Sequence, residues 1–81
     1  MSKKLRTLSG KNIVGFLQKQ GFEIEYGKGS HCKLVRLFKR EKQAIVVPLH
    51  KELARGTIKA IFNQASRFVS QDELKKYFYS D

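Results

Sequence analysis

Residues 21–48 read GFEIEYGKGSHCKLVRLFKREKQAIVVP, and apolar side chains alternate with polar ones through much of this stretch. Such alternation is typical of β-strands that bury one face. Glycines and charged residues interrupt it at turns, so the pattern predicts strands at 22–26, 31–38 and 43–48. Pro48 ends the third strand because it has no backbone N–H to donate. The connections are short enough for hairpins, which makes the predicted sheet antiparallel.

Helical spacing of apolar residues lies on both sides of these strands. It predicts a first helix over 10–19, capped by Ser9, and a second helix that begins at 56 or 57. The residues SQDE at 70–73 match a capping box and open a short C-terminal helix. The resulting order α-β-β-β-α, plus a small helix, predicts an α+β fold. Both main helices then lie on one face of a three-stranded antiparallel sheet, where they bury their apolar stripes.

The register of the first hairpin decides where His31 points. A three-residue loop over 28–30 keeps the apolar residues on one face, whereas a four-residue loop would mix the two faces. The three-residue loop predicts the pairs Gly27–His31, Tyr26–Cys32, Glu25–Lys33 and Ile24–Leu34. We therefore expect His31 to be exposed on the face away from the helices, and Cys32 to be a small core residue.

The second hairpin predicts an apolar stripe on the same outer face. A turn at 40–41 gives the pairs Val35–Val46 and Leu37–Ala44. An apolar stripe on an open sheet often marks a binding surface. The C-terminal helix could equally fold over it, so the sequence leaves both interpretations open.

Charge is the strongest signal in the composition. The 81 residues include 17 Lys and Arg against 7 Asp and Glu, a formal net charge of +10. Such a field attracts polyanions, of which nucleic acid is the commonest in a cell. A membrane surface fits less well because no strongly amphipathic basic helix is present. An acidic partner protein remains the other interpretation.

The length is that of one domain, and we expect residues 1–81 to form it. No apolar run is long enough to span a membrane, and the basic N-terminus lacks the apolar stretch of a signal peptide. Cys32 is the only cysteine, so no internal disulfide is possible, and with two histidines a structural zinc site is not expected. These features predict a reducing, cytoplasmic location without a bound metal or cofactor.

Residues 29–31, glycine, serine and histidine, could support acid–base chemistry. An exposed histidine has an unperturbed pKa of about 6.5, so it can take or give a proton near neutrality. Next to Lys28, Lys33 and the turn amides it would meet a held phosphate, and in RNA a 2′-hydroxyl lies beside each phosphate. General base catalysis needs no metal there. An exposed histidine after a glycine turn is more often only a surface residue.

Several segments in this order resemble the HicA family, toxins of type II toxin–antitoxin systems described as mRNA interferases. The matching segments are GF at 21–22, KGSH at 28–31, VPLHKELARGTIKAI at 47–61 and SQDELKKYF at 70–78. The resemblance covers nearly the whole chain. It departs from the family in the basic N-terminal extension and the long linker SRFV at 66–69.

The resemblance implies a fold similar to a double-stranded-RNA-binding domain, with His31 as the essential catalytic residue of an endoribonuclease. It also implies an acidic HicB-like antitoxin that binds and silences the toxin. We expect RNA contacts from Lys28, Gly29, Ser30, Lys33 and His50. Two other classes remain open: a non-catalytic RNA-binding domain that reads shape and phosphates, and an interaction module for an acidic protein.

Overall fold

The structure, a computed structural model, describes residues 3–80, with the side chain of Lys28 outside that description. The helices are α1 (Gly10–Lys19), α2 (Arg55–Ala65) and α3 (Gln71–Phe78). The strands are β1 (Lys4–Leu5), β2 (Glu23–Lys28), β3 (His31–Phe38), β4 (Glu41–Pro48) and β5 (Tyr79–Ser80). Strands β2, β3 and β4 form an antiparallel sheet in that order. The predicted α+β class and α-β-β-β-α order are therefore confirmed.

Helix α1 begins and ends where the sequence indicates. The Ser9 hydroxyl accepts a hydrogen bond from the Asn12 N–H at 3.0 Å, and the Asn12 side chain accepts one from the Ser9 N–H. These two bonds satisfy donors that the first helical turn leaves free. After the helix, Gly21 has φ of 97°, a left-handed conformation that glycine adopts without strain. Between these two ends the helix packs one side against the sheet. Its buried residues are Gly10, Ile13, Val14, Phe16 and Leu17.

Helix α3 packs within the layer of helices and leaves the outer face of the sheet open. The rings of Phe16 and Tyr77 stack with centroids 4.4 Å apart, and Phe78 meets Phe62 edge to face at 5.5 Å. Leu74 and Phe78 are fully buried. The alternative in which α3 folds over the outer apolar stripe is thus wrong.

A two-stranded ribbon, which the sequence analysis did not predict, joins the two ends of the described chain. Leu5 pairs with Tyr79 and Lys4 with Ser80 in antiparallel register. Next to this ribbon, the backbone N–H of Arg6 donates to the Phe78 carbonyl at 2.8 Å. The ribbon holds α3 against the core, because the strand that follows α3 is paired with the one that precedes α1.

The first hairpin has a different register from the predicted one. Its pairs are Lys28–His31, Gly27–Cys32, Tyr26–Lys33, Ile24–Leu34 and Glu23–Val35, with an irregularity between Ile24 and Tyr26. The loop has two residues, 29–30, and a β-bulge at Glu25 takes up the extra residue. Only the Ile24–Leu34 pair was predicted correctly. The bulge turns Tyr26 to the outer face, and since β2 is an edge strand, Ile24 and Tyr26 stay about half exposed.

The second hairpin also differs in register but not in faces. Val35 pairs with Ala44, Leu37 with Lys42 and Lys33 with Val46. The turn lies at 39–40 instead of 40–41, with φ of 50° at Lys39 and 69° at Arg40. Because the shift is two residues, alternation keeps the same side chains outside. Cys32, Leu34, Ile45 and Val47 face the helices and are buried.

Candidate functional site

His31 is the first residue of β3, and its side chain is exposed. Its Cα is paired with those of Lys28 on one side and Pro48 on the other. The Nδ1 atom lies 3.1 Å from the Ser30 hydroxyl, within hydrogen-bonding distance. Among the described residues, Nε2 has no hydrogen-bond partner. The ring is therefore held on one nitrogen and accessible on the other.

The Ser30 contact can hold the ring in both states that acid–base chemistry needs. When Nδ1–H donates to the Ser30 hydroxyl oxygen, Nε2 of the neutral imidazole keeps its lone pair and can act as a base. In the imidazolium both nitrogens carry a proton, so Nδ1–H still donates to Ser30 while Nε2–H can act as an acid. The same contact therefore accommodates both states.

The turn that carries His31 is bonded to the loop after β4, and that loop is bonded to the start of α1. The Leu49 N–H donates to the Ser30 carbonyl at 2.6 Å, and the Gly10 N–H donates to the His50 carbonyl at 2.9 Å. A Cβ atom at Gly10 would overlap the Pro48 carbonyl, so only glycine permits this close approach. These contacts fix three segments relative to one another: the start of α1, the loop after β4 and the turn. Sequence reasoning missed these contacts, although glycine at the first position of a helix was a possible signal.

Most of the other predicted site residues lie in the turn or in the loop that anchors it. Gly29, in the turn, has φ of 61° and open space around the position of a Cβ. His50 is exposed in the anchored loop and follows Leu49, the residue bonded to Ser30. The backbone of Lys28 pairs with that of His31. The structure therefore brings Lys28, Gly29, Ser30 and His50 to the end of the sheet where His31 lies.

Lys33 shares the outer face with His31 but is ion-paired. Its Nζ lies 3.2 Å from Oε1 of Glu25, and Nζ of Lys42 lies 2.8 Å from Oε2 of the same carboxylate. Hydrogen bonds from Lys42 and then Lys33 hold the pKa of Glu25 below its ordinary value. The bulge at Glu25 makes this bridge across three strands possible. Cys32, next to Lys33, is buried, and desolvation raises the pKa of its thiol.

The outer apolar stripe, Val35, Leu37, Ala44 and Val46, continues from His31 along the open face of the sheet. Leu37 is 75% exposed and Val46 is 42% exposed, whereas Val35 and Ala44 are half-buried. No other described element covers these side chains. The stripe lies on the outer face as alternation predicted, and of the two interpretations left open, the uncovered stripe is the one observed, with different cross-strand pairs.

A family model described as the HicA toxin of bacterial toxin–antitoxin systems matches residues 10–66, well over half of the chain. The chain belongs to the HicA toxin family. The match runs from α1 to the end of α2 and so includes His31, its turn and the loop that anchors it. Comparisons with curated proteins and with solved structures gave no significant match. This HicA protein has no helix within residues 3–80 that is long and apolar enough to cross a membrane.

Proposed function

We propose that this HicA protein is a metal-independent endoribonuclease that cleaves mRNA with His31 as its general acid and base. The observation that carries the proposal is the exposed imidazole held through Nδ1 by Ser30, with Nε2 free among the described groups. The turn that presents the imidazole is anchored through Leu49 to a loop that is itself bonded to the start of α1, so the ring has a fixed position. The mRNA substrate implies action in the cytoplasm.

The reaction uses the 2′-hydroxyl of the substrate as its nucleophile. Nε2 of His31 takes the 2′-hydroxyl proton while the 2′-oxygen forms a bond to the adjacent phosphorus. The bond from phosphorus to the 5′-oxygen of the next nucleotide breaks, and His31 returns the proton to that leaving oxygen. The products are a 2′,3′-cyclic phosphate and a 5′-hydroxyl. Such proton transfer typically contributes about 10²–10⁴-fold in rate.

The residues around His31 would hold the reacting phosphate. We assign the contacts to Lys28, Gly29, Ser30, Lys33 and His50. The open space at Gly29 lets a sugar–phosphate backbone approach the turn amides closely. Lys28 directly precedes the turn, where a cation would stabilise the extra negative charge of the transition state. Lys33 would contribute after exchanging its Glu25 partner for a phosphate.

The cognate antitoxin would bind the outer apolar stripe. Membership in a toxin–antitoxin family implies such a partner, and the stripe is exposed on the same face as His31. A protein that covers the stripe would also cover the imidazole, so inhibition would be steric. The net charge of +10 would speed capture of an acidic partner.

The deciding experiment compares His31→Ala and His31→Gln with the wild type in an RNA cleavage assay. We expect cleavage to fall at least about 10²-fold, while thermal stability stays within about 0.5 kcal/mol because the side chain is exposed. His50→Ala is the matched control, and it should raise KM more than it lowers kcat. Retained cleavage in a purified, folded His31→Ala protein would exclude the catalytic role.

Three further measurements test the chemistry. Cleavage should continue in EDTA and should leave 2′,3′-cyclic phosphate ends or their hydrolysis product. RNA with 2′-O-methyl groups should resist, because the nucleophile is blocked.

A non-catalytic RNA-binding domain of the same fold is the alternative function, supported by the α-β-β-β-α order and the basic charge. It would bind RNA with a steep salt dependence and leave it intact, with or without His31.

A further inference from the structure

A groove of about 410 Å³ opens on the layer of helices, among α2, α3 and the terminal ribbon. Its lining residues are Lys3, Phe62, Lys75 and Tyr79. The rings of Phe62 and Tyr79 meet edge to face with centroids 5.8 Å apart, and both side chains are only partly buried. Lys3 and Lys75 are exposed at its sides. None of the four belongs to the three-stranded sheet, so the groove lies apart from the face that carries His31.

We propose that this aromatic groove binds one unpaired nucleotide of a single-stranded RNA. The base would stack on the exposed part of the Phe62 and Tyr79 rings, and the flanking phosphates would contact Lys3 and Lys75. Stacking on aromatic side chains together with a cationic rim is the usual way in which proteins hold single strands. The groove is also within the size range of small-ligand sites. The inference rests on the proposed function, because it assumes that RNA is the substrate.

Charge and surface chemistry favour a nucleotide over an acidic peptide as the occupant. A peptide carboxylate would pair with the two lysines but would gain nothing from the ring faces. A nucleotide uses both, since its phosphates are anionic and every base has a flat π-face. In the described residues neither lysine forms an ion pair, so no internal carboxylate has to be displaced.

The test compares two double variants that remove the same charge. Lys3→Ala with Lys75→Ala removes the groove cations, and Lys4→Ala with Lys76→Ala removes their exposed chain neighbours, which do not line the groove. The probe is a labelled 2′-O-methyl oligonucleotide of about 16 nucleotides, which cannot be cleaved. We expect the groove variant to bind about tenfold more weakly and to lose about 1.4 from the salt slope, ~0.7 for each phosphate contact. The control should change each value far less.

The ring contribution is measured with Tyr79→Leu and Tyr79→Phe. We expect the leucine variant to weaken oligonucleotide binding about five- to tenfold, because stacking is lost, and the phenylalanine variant to bind like the wild type. Should Tyr79→Leu disturb the ribbon, the two lysine pairs still decide the question, because all four side chains are exposed.

Three outcomes would overturn the aromatic groove as a nucleotide site. One is equal weakening by the two lysine pairs, and another is no binding of the probe by the wild type. The third is full competition by a poly-glutamate peptide, which would identify an acidic-peptide groove instead. None of these three outcomes changes what the cleavage assay says about the catalytic role of His31. Conversely, cleavage that survives His31→Ala would refute the catalytic assignment without changing the difference between the lysine pairs.

Discussion

The outer face of the sheet and the layer of helices carry charge in different ways. On the sheet, Lys33 and Lys42 share the carboxylate of Glu25, and apolar side chains fill the space around them. The exposed cations of the helices form no ion pair within the described residues; they are Lys11, Lys19, Arg55, Lys59, Lys75 and Lys76. The cations that give the net charge of +10 therefore differ between the two faces in whether they are ion-paired. A largely apolar face whose lysines are ion-paired suits a protein partner, whereas unpaired cations suit a polyanion.

Arg36 is neither an ion-paired cation of the outer face nor an unpaired cation of the helices, because its charge stabilises the fold. Its guanidinium donates hydrogen bonds to the Gln43 side chain at 2.8 Å and to the carbonyls of Gln20 and Phe68 at 2.7 Å each. It also lies 4.7 Å above the ring of Phe22. These contacts tie β3 and β4 to the end of α1 and to the segment before α3. The number of basic residues alone thus overstates the surface that is free to meet RNA.

The largest effect should come from Arg36→Ala. Three carbonyl-type acceptors lose their charged donor, so we expect the free energy of unfolding to fall by about 2–4 kcal/mol. Arg67→Ala, a substitution of an exposed arginine, is the control and should change stability by less than about 0.5 kcal/mol. Chemical denaturation measures both. Equal effects would mean that Arg36 is an ordinary surface cation.

Next in size is the effect of Val46→Asp on antitoxin binding. A charge placed in the outer apolar stripe should raise Kd for the cognate antitoxin by well over tenfold, more than ~1.4 kcal/mol, and leave RNA cleavage measurable. Asn63→Asp adds the same charge to an exposed position of α2 and should have little effect. Calorimetry or surface-based binding measures both.

Two results would contradict this assignment of the stripe. Unfolding of both Val46→Asp and Leu37→Asp would mean that the stripe is part of the core, although Leu37 is 75% exposed. Unchanged antitoxin affinity in two folded variants would move the partner to the layer of helices. Either result would erase the functional contrast between the two faces.

The smallest effect should come from Glu25→Gln, and it depends on pH. Hydrogen bonds from Lys42 and Lys33 lower the pKa of Glu25 in the folded protein, so the ionised carboxylate stabilises the fold above its unfolded pKa. That contribution is lost as pH falls through the ordinary glutamate range, about 4.3, and below it. The Tm of Glu25→Gln should therefore lie slightly below that of the wild type at pH 7, and the two should converge as the pH falls below the ordinary glutamate range.

Glu52→Gln is the control for the Glu25 measurement. Glu52 is exposed and forms no ion pair within the described residues, so its Tm difference from the wild type should stay flat across the same pH range. Added salt should also shrink the Glu25 effect, because exposed pairs are screened. A difference that grows toward low pH would contradict the assigned ionic bridge.

The sequence predicted the faces of the sheet more reliably than the pairing of its strands. Alternation alone places His31, Val35 and Leu37 outside, whatever partners they have. Register depends on turn geometry. Gly29-Ser30 is one of the dipeptides that mark a two-residue hairpin loop, and Gly29 has φ of 61°, but the three-residue loop was preferred because it sorts apolar and polar residues onto separate faces. The bulge at Glu25 has no fixed sequence pattern, and the Lys39–Arg40 turn lacks the Asn-Gly that usually marks a two-residue hairpin loop. The terminal ribbon was missed because two-residue strands leave no periodicity.

For the site, the sequence indicated His31 and its exposure but not what holds it. The Leu49–Ser30 and Gly10–His50 backbone bonds join segments that are far apart in the chain. Backbone contacts of this kind depend on the packing of α1 against β4, and the one hint in the sequence, a glycine at the first position of α1, does not identify what it contacts. Arg36 was likewise indistinguishable from the other cations, because its acceptors lie on three separate elements. The roles assigned to the residues around His31 remain predictions.

The Lys39–Arg40 turn has a consequence for engineering this protein. Both residues adopt positive φ, 50° and 69°, which side chains with a Cβ adopt at a cost of order 1–3 kcal/mol each. Lys39→Asn with Arg40→Gly would relieve that strain at the price of two surface charges. Substitution at the tip of the β3–β4 hairpin should therefore raise the thermal stability of the protein. It lies at the far end of β3 from His31, so a crystallographer or a designer can use it without touching the candidate catalytic turn.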